Sequence, residues 1–198
     1  TVAKIGLSMK KRDMRSGPHF DAADAALDAA AGATPGVAAD ARQAVVFYRK
    51  AGELGHRRAA FMLGECYRHG HGVANDNALA MVWYRKASRL FEAKIALADM
   101  YYFGHGVAQS QQNFCEALRW YEQAVEQHED VYAMYSLGFC LLHGQGIASS
   151  QQNAREGVRW LRKAAALGEI DAQYELGCAY YRGEGVVHSL RLAMKWLR

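Results

Sequence analysis

Apolar and polar positions in this chain recur at helical spacing, and that helical pattern itself returns at a longer interval. Ala59, Leu63, Gly64 and Tyr67 fall at i, i+4, i+5 and i+8, on one face of an α-helix. The same face returns as Ala93, Leu97, Ala98 and Tyr101, as Ala133, Leu137, Gly138 and Leu141, and as Ala172, Leu176, Gly177 and Tyr180. Small residues in that stripe predict close approach by a second helix. No segment alternates with period two, so the pattern predicts no strands.

The second helix is marked by an aromatic residue. Trp83, Trp120, Trp160 and Trp196 share one register, with Phe47 as a fifth copy, at steps of 36, 37, 40 and 36 residues. Gly36-Val37, Gly72-Val73, Gly106-Val107, Gly146-Ile147 and Gly185-Val186 keep the same time. A preceding glycine (Gly70, Gly104, Gly144, Gly183) is expected to end each first helix in the left-handed conformation, and the next glycine turns the chain back. Asp40, Asp76, Asn113, Asn153 and Ser189 stand seven positions before each anchor and are predicted N-caps. Gln43, Glu116 and Glu156 complete capping boxes in three copies. A fixed period in this range means an α-solenoid, in which one helix pair cannot bury its own apolar face and neighbours must stack.

Departures from the period set the domain limits. Residues 1–20 are expected to be a basic segment and partial helix, with Lys4, Lys10, Lys11, Arg12 and Arg15, and residues 21–198 the solenoid of about four to five units. An Ala-rich helix over 19–31 reads as a degenerate first helix. Arg198 follows Trp196 by two residues, so the last unit reads as truncated and the chain as a fragment with an uncapped edge. Self-association through that edge is a candidate. The units after Gly106 and Gly146 carry three extra residues before the N-cap, Gln-rich in both, read either as a loop insertion or as a paired contact site.

Composition narrows the function classes. At 198 residues and 51% hydrophobic, the chain has ample material for a core, and no apolar run approaches the ~18 residues of a membrane span. A net charge of +4 and the lack of interleaved stacking aromatics argue against nucleic acid. There is no Gly-x-Ser-x-Gly, phosphate loop or His-Glu-x2-His, and the Gly-x-Gly pairs end helices, the wrong context for a dinucleotide. No catalytic residue and no cofactor are assigned. His69, His71, His105 and His143 gather at the turns and are the only metal candidates, though their spacing matches no closed site. Arg49-Lys50, Arg85-Lys86 and Arg162-Lys163 form a basic stripe, broken at Glu122-Gln123, that reads as solvated surface or as a contact for an anionic partner.

The series Ala59, Leu63-Gly64, Tyr67, Gly70-x-Gly72-Val73, Asp76, Ala80 and Trp83-Tyr84-Arg85-Lys86-Ala87 resembles the Sel-1-like repeat, a relative of the tetratricopeptide repeat. The resemblance covers roughly residues 21–198. It implies an all-α fold, a right-handed superhelix of stacked helix–turn–helix units working as an adaptor in signalling, secretion or protein quality control. Gly72, Gly106, Gly146, Gly185 and the four tryptophans then count as structural residues. Secreted relatives pair cysteines within each repeat; Cys66, Cys115, Cys140 and Cys178 lack that pairing, so they read as free thiols in a cytoplasmic protein.

In related solenoids the first helices line the concave surface. That implies a trough holding Phe61, Tyr135 and Tyr174 in one register, Tyr102 and Tyr181 in another, and Glu65, Asp99 and Phe139 in a third. These eight residues are the candidate contacts for a partner polypeptide, with packing between units as the rival reading. Function is accordingly expected to be a protein-interaction scaffold. The alternative is a regulatory subunit that activates or localises a membrane-bound enzyme, with a metal-binding protein or a hydrolase ranked below both.

Overall fold

The computed structural model describes residues 37–107, 111–147 and 150–197. The expected N-terminal basic segment and the helix over 19–31 lie outside them. Among the described residues there is no strand. The helices are α1 (Val37–Glu53), α2 (Arg57–His69), α3 (Asn77–Lys86), α4 (Phe91–Phe103), α5 (Gln111–Gln127), α6 (Val131–His143), α7 (Gln151–Ala166), α8 (Ile170–Arg182) and α9 (Leu190–Trp196). They fall into two compact units that divide between Leu90 and Phe91.

In the first unit α1 packs on α2 and α2 on α3. Gly52, late in α1, lies against Ala60, early in α2, while Gly72, just past α2, lies against Ala41, early in α1. The two helices therefore run antiparallel. In the second unit each helix from α4 to α9 packs on the next, and the first helices α6 and α8 also touch. Between α6 and α7 a Cβ on Gly157 would stand 2.7 Å from the Gly138 carbonyl, so the two helices approach closely there. The other units hold alanine at the Gly157 register.

The glycine turns form as the pattern predicts. Gly70, Gly144 and Gly183 take left-handed φ of 72°, 66° and 72° and close their helices, with N–H bonds to Cys66, Cys140 and Ala179. The second glycine of each turn has a further reason to lack a side chain. A Cβ on Gly146 would sit 2.5 Å from the Phe114 carbonyl oxygen, and one on Gly72 or Gly185 would meet Ala41 or Ala154 at the same register. The turn of one repeat thus seats on the first turn of the preceding second helix.

Helix starts differ in part from expectation. Asp76 and Ser189 do cap α3 and α9, accepting from the amides of Leu79 and Leu192. Asn113 and Asn153 are not caps: α5 begins at Gln111, and α7 begins after Ser150, whose hydroxyl accepts from Asn153 N–H at 3.1 Å. Consecutive glutamines are good helix formers, and Ser150 supplies an acceptor one turn earlier. Residues expected as loop are absorbed as an extra helical turn, and Glu116 and Glu156 move inside their helices. Asp40 likewise lies within α1.

The expected aromatic anchor is also displaced by one residue. Trp83 is buried, but Trp120, Trp160 and Trp196 are half-buried. In all but the last copy the residue after the tryptophan or phenylalanine fills the core: Tyr48, Tyr84, Tyr121 and Leu161 are at most 1% exposed, whereas Leu197, after Trp196, is 49% exposed. Tyr84 and Leu161 lie against the small Gly64 and Gly138 of the first helix, which is why those positions are small.

Candidate functional site

Glu65 and Asp99 are set by their partners on the second helix. The Tyr84 hydroxyl donates to Glu65 Oε1 at 2.5 Å, and the Tyr121 hydroxyl donates to Asp99 Oδ1 at 2.6 Å. A buried phenol needs an acceptor, and each carboxylate supplies it from the facing first helix. Burial, reinforced by the adjacent carboxylate, pushes both phenols far above their ordinary range. Glu65 also lies 3.4 Å from His69 Nε2, and Asp99 accepts a second hydrogen bond, from Tyr132, at 3.1 Å. The two acids read from the sequence as partner contacts therefore hold the helix pairs together.

The basic stripe is likewise engaged. Arg49 donates to the Tyr67 hydroxyl at 2.5 Å and Arg162 to the Tyr180 hydroxyl at 2.6 Å, each joining a second helix to the next repeat's first helix. Lys86 and Lys163 sit over the rings of Trp83 and Trp160, 3.9 and 4.4 Å from their centroids. Where the stripe breaks at Glu122, the following first helix carries Leu141 instead of tyrosine.

The aromatic candidates separate into three groups. Phe61 lies in the first unit, tilted against Tyr84 at 5.7 Å. Tyr174 and Tyr181, on α8, are 59% and 61% exposed. Tyr102, Tyr135 and Phe139 converge in the second unit. They line a cavity of about 220 Å³ with Phe103, Tyr121, Tyr132, Ser136 and Cys140, formed by α4, α5 and α6. Tyr102 meets Phe103 edge-on at 4.9 Å and Phe114 at 5.5 Å, while Tyr135 tilts against Phe139 at 6.0 Å. Half of Phe103 and 41% of Tyr132 face solvent, so the cavity is open.

Its chemistry is aromatic and acidic. Asp99 lies behind the Tyr121 and Tyr132 hydroxyls. Burial pushes the Tyr132 phenol up to about 12, with Asp99 adding to it, and burial together with Asp171 and Glu175 pushes Tyr135 up to about 12. Burial alone pushes the Cys140 thiol to about 12, so it stays protonated and unreactive. Phe103 and Tyr132 were missed in the sequence. Their registers look like ordinary surface, and only the fold brings them to the rim.

Among the described residues, no three or more His, Cys, Asp and Glu are grouped to hold a metal ion. His69 stacks on His71 at 5.6 Å, His105 on Phe103 at 5.9 Å, and His143 pairs with Glu175 at 3.1 Å. No described helix is long and apolar enough to cross a membrane.

The chain matches the Sel1 repeat over residues 30–56, 57–90, 91–128, 131–169 and 170–198. Among solved structures it is similar to a protective antigen of uropathogenic Escherichia coli strains displaying an SLR fold. That match has 29% identity and a TM-score of 0.75, and it covers 90% of this chain but 37% of the antigen. It is also similar to a Sel1 repeat protein from Oxalobacter formigenes, with 24% identity and a TM-score of 0.68, over 89% of this chain and 80% of that one. None of the curated proteins matches the chain.

Proposed function

Because the chain belongs to the Sel1 repeat family, we propose that it is a protein-interaction scaffold that receives a partner polypeptide at the aromatic cavity of its second unit. Sel1 repeat proteins generally mediate protein interactions, which supports the class. The observation that carries the location is the convergence of Tyr102, Phe103, Tyr132, Tyr135 and Phe139 around one open space of about 220 Å³. Binding energy at such surfaces concentrates in a few aromatic anchors in pockets. The protein acts by holding its partner, with no catalytic step of its own. Four cysteines outside any disulfide, two of them sealed in the core, favour a reducing compartment such as the cytosol.

The test is selection of binders from a peptide library displayed on phage. Tyr102→Ala combined with Phe139→Ala is expected to weaken the selected peptides at least about tenfold while the melting temperature moves by only a few degrees. Arg155→Ala with Arg159→Ala, on the exposed basic face of α7, is expected to leave them unchanged. Loss of the peptides in the arginine variant, with retention in the aromatic one, moves the site to the basic face.

A further inference from the structure

We propose that the aromatic cavity is a receptor for one cationic side chain, lysine or arginine, presented by an extended segment of the partner polypeptide. This rests on the reading that the cavity docks a partner, and it specifies the chemistry recognised there.

The rings surround the space at different inclinations. Tyr102 and Phe103 stand at 84° to each other, and Tyr135 and Phe139 at 51°. Such an arrangement presents both ring faces and edges to an occupant, and the faces carry the negative end of the aromatic quadrupole. No lysine or arginine lines the cavity. The charged groups that bond or act on its Tyr121, Tyr132 and Tyr135 are acidic: Asp99 behind the tyrosine hydroxyls, and Glu169, Asp171 and Glu175 acting on Tyr135. Of the two neighbouring imidazoles, His143 is tied to Glu175 and His105 stacks against Phe103. The local field therefore favours a cation although the whole chain carries +4. Raised phenol pKa values at Tyr132 and Tyr135, where burial is the first cause and Asp99 or Asp171 and Glu175 add to it, agree with that sign.

Competing occupants fit less well. An aliphatic side chain gains contact area but nothing from the negative ring faces or from the nearby acids. A carboxylate would meet Asp99 and Glu175. The volume suits one long side chain and is too small for the face of a helix. A lysine or arginine stem lies along the rings, and its head reaches the acids or solvent.

The experiment uses capped nonapeptide pools with the central residue fixed as Arg, Lys, Gln, Leu, Phe or Glu, titrated onto the full chain by fluorescence polarisation. The Arg and Lys pools are expected to bind at least about tenfold tighter than the Gln and Leu pools. Tyr135→Leu with Phe139→Leu keeps apolar bulk but removes two rings. It is expected to cut the Arg and Lys affinities about tenfold and to leave the Leu pool unchanged. A Leu or Phe pool that binds best, and is lost in Tyr102→Ala/Phe139→Ala, overturns the cation preference while the docking reading stands. A cation preference that survives in the double-leucine variant also overturns it, because the cation is then held elsewhere. Failure of every pool to bind, or binding indifferent to Tyr102→Ala/Phe139→Ala, overturns both readings.

Discussion

Replacing Gly185 with alanine adds a single methyl group, and the structure divides its cost into two parts. Gly185 has φ of +65°, and holding an alanine in that left-handed region costs roughly 1–2 kcal/mol. The methyl would also point at the Ala154 carbonyl and stand 2.8 Å from the Arg155 amide nitrogen, both in the first turn of α7. These are backbone atoms, so no rotamer change relieves the clash; the turn and α7 must separate. Overpacking of this kind adds about 1–3 kcal/mol, for a total of about 2–5 kcal/mol. Gly183, two residues earlier, isolates the first part. Its φ is +72°, but the nearest atoms to its methyl lie at 3.5–3.7 Å, ordinary contact, so Gly183→Ala is expected to cost only the ~1–2 kcal/mol of backbone strain. Urea titration followed by far-ultraviolet circular dichroism measures both. Gly72→Ala against Gly70→Ala repeats the comparison in the first unit, where Gly70 has 3.6 Å of clearance and Gly72 meets Ala41. Equal losses at the two glycines of a turn would refute the idea that the second one is set by its seat on the preceding helix.

Three further outcomes follow from the packing. Tyr121→Ala is expected to destabilise more than Trp120→Ala, by at least about 1 kcal/mol in the same titration, because Tyr121 is 1% exposed and Trp120 only half-buried. A double-mutant cycle on Arg162→Ala and Tyr180→Phe is expected to return a coupling of about 0.5–1.5 kcal/mol, while Arg159→Ala with Tyr180→Phe is additive. Burial raises the Cys66 and Cys140 thiols from 9.0 to about 12, so the folded state prefers them protonated. Their contribution is fully present below about pH 9 and is lost as pH climbs toward 12; a urea midpoint that holds constant to pH 11 would contradict this.

How much of this was legible beforehand depends on whether a feature is local. The period, the helix pairs and the turn glycines could be read because each repeat states them again, and Gly70 and Gly183 behave alike at distant points. Asp76 and Ser189 were legible as caps because nothing helix-forming precedes them. The starts of α5 and α7 were not, since a glutamine pair and Ser150 compete with the asparagines on nearly equal terms. The site was harder still. A helical register tells which way Tyr102, Tyr135, Tyr174 and Tyr181 point, but not what stands opposite at the same height. Tyr102 and Tyr135 meet around a cavity, whereas Tyr174 and Tyr181 stand out in solvent. Glu65 and Asp99 needed a pairwise reading: an acid on the first helix goes with a tyrosine on the second.

That pairing gives a physical reason for the cavity's position. Glu65 stands with Tyr84 and Asp99 with Tyr121, while the next two units hold Phe139 with Leu161 and Cys178 with Leu197 at the same registers. Acid and phenol enter or leave together, because either alone buries an unsatisfied polar group and both absent leave an apolar contact. The Arg–Tyr link behaves alike: Arg49 with Tyr67 and Arg162 with Tyr180, but Glu122 with Leu141. The repeat of α4 and α5 is therefore of the polar-paired kind and the repeat of α6 and α7 of the apolar kind. Their junction is where the carboxylate of one, Asp99, comes to lie behind the freed aromatic of the other, Phe139, with Tyr102, Tyr132 and Tyr135 between. A stack of identical repeats of either kind would lack one half of that chemistry, the acid or the half-buried ring at the Phe139 register. A change of repeat type along the stack is what puts both around one opening.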